Sequence, residues 1–195
     1  PVDHRNTLMQ TILNTPDDPA HDSLVEKKSE FIGDAAHVDT LDEALAFVAA
    51  IREQHPKARH VAYAAVCGGA DGRLSERMSD DGEPSGTAGK PILDVLKQSG
   101  TTDCVVAVTR HFGGILLGSG GLVRAYSSAA SLAMKAARAA RIMTAKRYRV
   151  RLEYPQLARF QQILAQLGGS QEDESYAVNV ELTAVVPQDD CARFE

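Results

Sequence analysis

Apolar residues follow two rhythms along this chain. Cys104 to Thr109 (CVVAVT) is an almost unbroken β-branched run, which predicts a strand covered on both faces. Val61 to Val66 is a second such run, and Lys27 to Ile32 opens a strand-like segment ending near Val38. Between them Leu41, Ala44, Leu45, Val48 and Ile51 recur at helical spacing. Thr40 with Glu43 forms a capping box at the start of that helix, and His55-Pro56 closes it. Gly68-Gly69 and Asp71-Gly72 mark a turn, with a returning strand through Leu74 to Met78. A short helix then places Pro91 in its first turn and Gly100 beyond its end. A glycine-punctuated turn, Gly113 to Gly121, leads into a long helix predicted from about Leu122 to Arg141. Small residues at Ala125, Ala129, Ala133, Ala136 and Ala140 suit that helix to close approach to a sheet.

After Met143 the rhythm changes. Tyr148 to Tyr154 alternates as a half-exposed strand, and a helix spans about Pro155 to Leu167 before Gly168-Gly169. Tyr176 to Val186 alternates again, and Asp189 or Asp190 is placed to cap another helix. The expectation is an α/β (α+β) two-domain protein. A weakly ordered segment covers residues 1–22, a first domain 23–144, and a small ferredoxin-like second domain 146–195. The second domain reads as half of a split βαβ sandwich that lacks its last helix and strand.

Composition narrows the class. The balance of apolar and charged residues is that of an ordinary globular chain. Cys67, Cys104 and Cys191 form no Cys-x-x-Cys pair, which fits a reducing compartment. The N-terminus, PVDHRNTLMQ, is polar and no run is long enough to span a bilayer, so a cytoplasmic protein without a membrane partner is expected. The net charge of -5 excludes a chain that is basic throughout, yet its distribution is uneven. From Cys104 to Leu152 there is no Asp or Glu, against Arg110, Arg124, Lys135, Arg138, Arg141, Lys146, Arg147, Arg149 and Arg151. Such a block suits a surface that meets phosphates or an acidic partner, and equally suits a solvated helix face.

Candidate chemistry centres on two stretches. At Gly118, Ser119, Gly120 and Gly121 a helix start offers N–H groups to an anion, with Arg110, His111, Lys90, Arg124 and Tyr126 around it. The pattern is neither a phosphate-binding Walker loop nor a dinucleotide fingerprint, and its glycines also serve backbone geometry alone. The second stretch, Ser79 to Pro91, is a polar loop with Asp80, Asp81, Glu83 and Thr87. Its carboxylates do not follow a calcium-loop spacing, and no His/Cys spacing suggests zinc, so no metal, no cofactor and no catalytic residue is assigned. Cys67 and Cys104 lie in apolar runs where a thiol behaves as a small hydrophobe.

Two long motifs, SDDGEPSGTAGKPIL (Ser79 to Leu93) and VAVTRHFGGILLGSGGLVRAY (Val106 to Tyr126), resemble the signature of the IMPACT family. KKSEFI (Lys27 to Ile32) and ARHVAYA (Ala58 to Ala64) are similar to the family's earlier motifs. The resemblance implies a first domain like the second domain of a small-subunit ribosomal protein. It implies a second domain that is ferredoxin-like, as in the C-terminal part of elongation factor G. Eukaryotic relatives act in translational control by binding a regulator of a stress-activated kinase. Carried onto this chain, the motifs mark Asp80, Asp81, Glu83, Thr87, Lys90, Arg110, Gly113, Gly114, Gly118, Gly120, Gly121, Arg124 and Tyr126 as the functional surface. Relatives often carry Asn and Cys after the histidine that matches His60, where this chain has Val61 and Ala62, so a nucleophilic cysteine is not expected there.

The resulting expectation is a non-catalytic, translation-associated binding protein whose partner is RNA, the ribosome or a translation-regulatory protein. The alternative is an enzyme or sensor that takes a small phosphorylated ligand at Gly118 to Gly121.

Overall fold

The computed structural model describes residues 9–68 and 72–195, which fall into two compact units divided between Ile142 and Met143. The first unit is built on a five-stranded antiparallel sheet. Its strands are β2 (Ala20–Glu26), β3 (Ser29–His37), β4 (His60–Cys67), β5 (Ser75–Ser79) and β6 (Cys104–His111), in the order β2-β3-β6-β4-β5. β6 lies at the centre, paired with β3 and β4. Helix α1 (Leu41–Gln54) covers one face, burying Phe47, Val48 and Ile51 against Val61, Tyr63 and Val105. Helices α2 (Gly89–Gln98) and α3 (Gly118–Ala136) cover the other, against Phe31, Ala62, Val106 and Val108. Two covered faces explain why β4 and β6 read as continuous apolar runs although the sheet is antiparallel. At Gly33 a Cβ would sit 2.5 Å from the Ala129 carbonyl oxygen, so α3 approaches β3 through the gap that glycine leaves.

Several boundaries differ from expectation. Of the segment 1–22, residues 1–8 lie outside the described residues. The rest forms β1 (Gln10–Ile12) and the start of β2, with Ile12 and Ala20 buried. β1 pairs antiparallel with β7 (Ala139–Arg141), so the long helix ends at Ala136 rather than running to Arg141. The same helix begins at Gly118, not Leu122: the glycines are its first turn, and Arg124 and Tyr126 lie beyond it. The cap of α1 is also redistributed. Thr40 Oγ1 accepts from the Glu43 N–H at 3.1 Å, while Glu43 accepts from the Asp39 N–H at 2.7 Å rather than from Thr40. The expected turn residues Gly69 and Asp71 lie outside the described residues.

The second unit holds β8 (Ala145–Leu152), α4 (Tyr154–Gln166), β9 (Ser170–Tyr176), β10 (Val180–Pro187) and α5 (Cys191–Phe194), with a 3₁₀ turn, Gln188–Asp190, before α5. The sheet order is β8-β10-β9, and β10 is antiparallel to both neighbours. β8 and β9 therefore run parallel across an inserted strand, which is the split βαβ arrangement with α4 as crossover. The single strand expected from Tyr176 to Val186 is broken by a turn over residues 177–179. Tyr148, Val150 and Leu152 point to the core that β10 shares with Leu164 and Cys191. Asp190 stands at the cap position of α5, but its side chain makes no capping bond.

Candidate functional site

The polar loop between β5 and α2 is held by its own carboxylates. Asp80 Oδ1 accepts from the N–H groups of Ala88 at 3.1 Å and Gly89 at 2.8 Å, and Oδ2 accepts from Gly86 at 2.9 Å. Ala88 has no side chain able to cap α2, so a carboxylate eight residues upstream fills the helix N-terminus. Burial acts to raise the Asp80 pKa, but the three donors, Gly86, Gly89 and Ala88, outweigh it and hold the group below its ordinary value. Asp81 takes a left-handed backbone conformation, φ 46°, and turns the other way. Its Oδ2 accepts from Arg52 Nη1 and from the Val61 N–H, both at 2.7 Å, and its carbonyl lies 2.8 Å from His60 Nδ1. The Thr87 hydroxyl donates to the Pro84 carbonyl at 2.6 Å, closing the tip.

Glu83 alone among these acids points inward. Its Oε1 accepts from Arg110 Nη1 at 2.8 Å and from the Tyr126 hydroxyl at 2.7 Å, with His60 Nε2 at 3.9 Å. Arg110 is only 6 % exposed, and its guanidinium carbon lies 5.5 Å from the ring centre of Phe31 and 5.4 Å from that of Phe112. Nη2 reaches Ser29 Oγ at 3.4 Å, and the same oxygen accepts from the Gly113 N–H at 3.2 Å. Tyr126 is fully buried and meets Phe31 edge to face at 5.2 Å. Burial, reinforced by the bond to Glu83, pushes its phenol far above the ordinary value. One carboxylate therefore joins the loop to β6 and α3, and through Arg110 to β3. Such a pair gives little net stability over an apolar replacement, but losing one member strands a buried charge, at a cost of about 3–5 kcal/mol.

This placement corrects the expectation that Arg110 and Tyr126 face an incoming anion at the surface: both are inside, committed to Glu83. The remaining candidates are distributed as follows. His111 ends β6 half-buried, with Nε2 at 3.4 Å from His55 Nδ1. Lys90 is exposed on α2 and pairs along its own helix with Asp94 at 3.2 Å. Gly118, Ser119 and Gly120 are exposed at the start of α3, where no side chain caps the helix. Gly118 takes φ 73°, which lets the loop turn into the helix there. The Arg124 guanidinium lies beside that first turn, with Nη1 3.4 Å from where a Cβ on Gly120 would stand. The candidates thus separate into a buried cluster of Glu83, Arg110 and Tyr126 and an exposed one of Ser119, Gly120 and Arg124.

The acid-free block of sequence is also less uniform in space. On β8, Arg147 pairs with Glu172 of β9, and Arg149 with Glu181 of β10 at 3.5 Å. Strands β10 and β9 of the same sheet supply the acids that the local sequence lacks. Among the described residues no group of three or more His, Cys, Asp or Glu gathers as metal ligands. The Cys67 thiol is pushed up to about 11 by burial, with Asp103 adding to the effect, and burial drives Cys104 higher still. Neither is poised as a nucleophile. Sequence reasoning left out Ser29 and Arg52, which complete the two networks. The available signal was their isolation: a small polar residue at a strand start, and a basic residue at the end of an amphipathic helix.

Fold and site together define a two-domain mixed α/β protein whose acidic loop is locked internally while the start of α3 lies open. Among the described residues no helix is long and apolar enough to cross a membrane. Residues 27–134 match the Impact N-terminal domain, and residues 150–195 match a domain of unknown function, DUF1949. The IMPACT family member YigZ of Escherichia coli (strain K12) is 40 % identical over 168 residues, 86 % of this chain and 82 % of that protein. The IMPACT family member YvyE of Bacillus subtilis (strain 168) is 47 % identical over 111 residues, 57 % of this chain and 50 % of that protein. The chain belongs to the IMPACT family. A crystal structure described as that of an hypothetical protein superposes with a TM-score of 0.65 at 37 % identity, covering 95 % of this chain and 88 % of the other. The structure of a two-domain translational regulator, Yih1, aligns at a TM-score of 0.37 and 24 % identity, over 70 % of this chain and 50 % of that one. That likeness is too slight to carry function from one to the other.

Proposed function

We propose that this protein is a non-catalytic binding protein associated with translation, and that its contact face is the open start of α3 rather than the acidic loop. Family membership supports the setting. The observation that carries the binding reading is the engagement of every carboxylate in the loop. Asp80 is committed to backbone N–H groups, Asp81 to Arg52 and Val61, and Glu83 to Arg110 and Tyr126. A general base or metal ligand needs a lone pair that is free or exchangeable at a cleft, and these carboxylates serve architecture instead. A small phosphorylated ligand at Gly118 to Gly121 has the uncapped helix start in its favour. Against it, Arg110 is turned inward and Lys90 is paired with Asp94, which leaves Arg124 from the expected ring of cations.

Sucrose-gradient fractionation of a translation extract from the source organism tests this reading. The chain is expected to migrate with ribosomal or initiation-complex fractions at low salt and to leave them on Arg124→Glu. Migration as free protein at every salt concentration overturns the translation association.

A further inference from the structure

The segment between β6 and α3 carries a surface of exposed apolar side chains, of which Phe112 also meets the buried Arg110. Phe112, Ile115 and Leu116 are all exposed within five residues, Leu116 at 81 %, and Val123 is exposed one turn into α3. Single exposed apolar side chains are ordinary, but several large ones on one short loop are the pattern of a contact surface. Three basic residues adjoin it. Arg59 lies over the Phe112 ring at 5.9 Å, the Arg124 guanidinium flanks Gly120, and Lys28, an exposed residue, meets Gly113 through its backbone. The exposed acids on the neighbouring hairpin are Glu30, register partner of His111, and Glu26, register partner of Ser29, and the stretch from Cys104 to Leu152 contains none. The uncapped N–H groups at the start of α3 add partial positive charge to the same side.

We infer that this surface docks an acidic peptide segment of a partner protein, one that presents an apolar anchor to Ile115 and Leu116 and carboxylates to Lys28, Arg59 and Arg124. The inference deepens the binding reading above and rests on it for the biological setting alone. Charge complementarity selects a polyanion, and the aliphatic tip selects which kind. RNA is gripped by cations and by aromatic or guanidinium stacking on bases, to which exposed leucine and isoleucine add nothing. A protein interface, by contrast, has an apolar centre ringed by polar groups.

The test is fluorescence anisotropy of the whole chain with three labelled probes. One is a helical peptide with Leu on one face and Glu on the other, the second replaces every Leu by Ser, and the third is single-stranded RNA. The Leu/Glu peptide is expected to bind at least about tenfold more tightly than the Ser/Glu peptide. Leu116→Ser should remove that advantage, and Arg124→Glu should weaken both peptides. Leu116 is almost fully solvated, so its replacement leaves the fold intact, which circular dichroism checks. Equal affinity for the two peptides, or a Leu/Glu peptide indifferent to Leu116→Ser, overturns the inference, as does RNA binding more tightly than either peptide. The two readings fail separately. Peptide binding without ribosomal co-migration leaves this surface standing and removes the translation setting. Co-migration that survives Leu116→Ser removes this surface and leaves the setting.

Discussion

At the scale of single residues, adjacent carboxylates with similar sequence surroundings do different work. Asp80 faces backbone donors, Asp81 faces an arginine and a strand edge, and Glu83 enters the core. Their direction is decided by backbone geometry that the sequence only hints at: Asp81 and Gly82 both have positive φ, at 46° and 85°, and this reverses the chain between the outward and inward acids. The Asp80 bonds make stability pH-dependent with a definite sign. Its folded pKa lies below the ordinary value of 3.8, so its contribution is present above that pH and is lost as pH falls through the folded value. The destabilisation caused by Asp80→Asn, measured by urea unfolding, is therefore expected to be full at neutral pH and to shrink below about pH 4. A difference that stays constant with pH contradicts the three-donor arrangement.

At the scale of elements, unbroken apolar runs identified β4 and β6, which are covered on both faces, a matching period identified α1 and β8, and Pro91 with Gly100 marked α2. β1 and β2 escaped it. β1 is three residues long, and β2 is an edge strand, largely exposed with Ala20 buried, so neither shows a clean alternation. The start of α3 was misplaced for a different reason: glycine is a poor helix former, yet Gly120 and Gly121 are helical, after Gly118 turns the chain at φ 73°, because α3 is held by packing further along, at Leu122, Ala125 and Tyr126. Of the site, the loop and the cations were legible as motifs, but burial of Arg110 was not, since an arginine ending an apolar run reads as exposed until a buried acid from another element is found for it. Gly113 carries an element-level prediction. Its backbone touches the Lys28 carbonyl across the turn between β2 and β3, so Gly113→Ala must push the two segments apart. A loss of about 1–3 kcal/mol in chemical unfolding is expected. An unchanged midpoint contradicts the contact.

At the scale of the whole molecule, the IMPACT signature has two physical parts. Glu83, Arg110 and Tyr126 tie a loop, the central strand and the long helix of the first unit together, while Phe112, Ile115, Leu116, Val123 and Arg124 are exposed. The first part explains why a stretch rich in carboxylates and cations need not be a catalytic centre: Glu83 and Arg110 neutralise each other in the interior, and the half-buried Asp80 and Asp81 are bonded to backbone donors and Arg52. The second leaves a cationic, aliphatic surface on the same unit. The division depends on Glu83 and Arg110 acting as one buried pair, which a double-mutant cycle of Glu83→Gln and Arg110→Met measures by denaturant unfolding. Each single variant is expected to destabilise strongly and the double variant much less than their sum, with a coupling of about 1 kcal/mol or more. Additive losses, with no coupling between the two positions, would contradict the account.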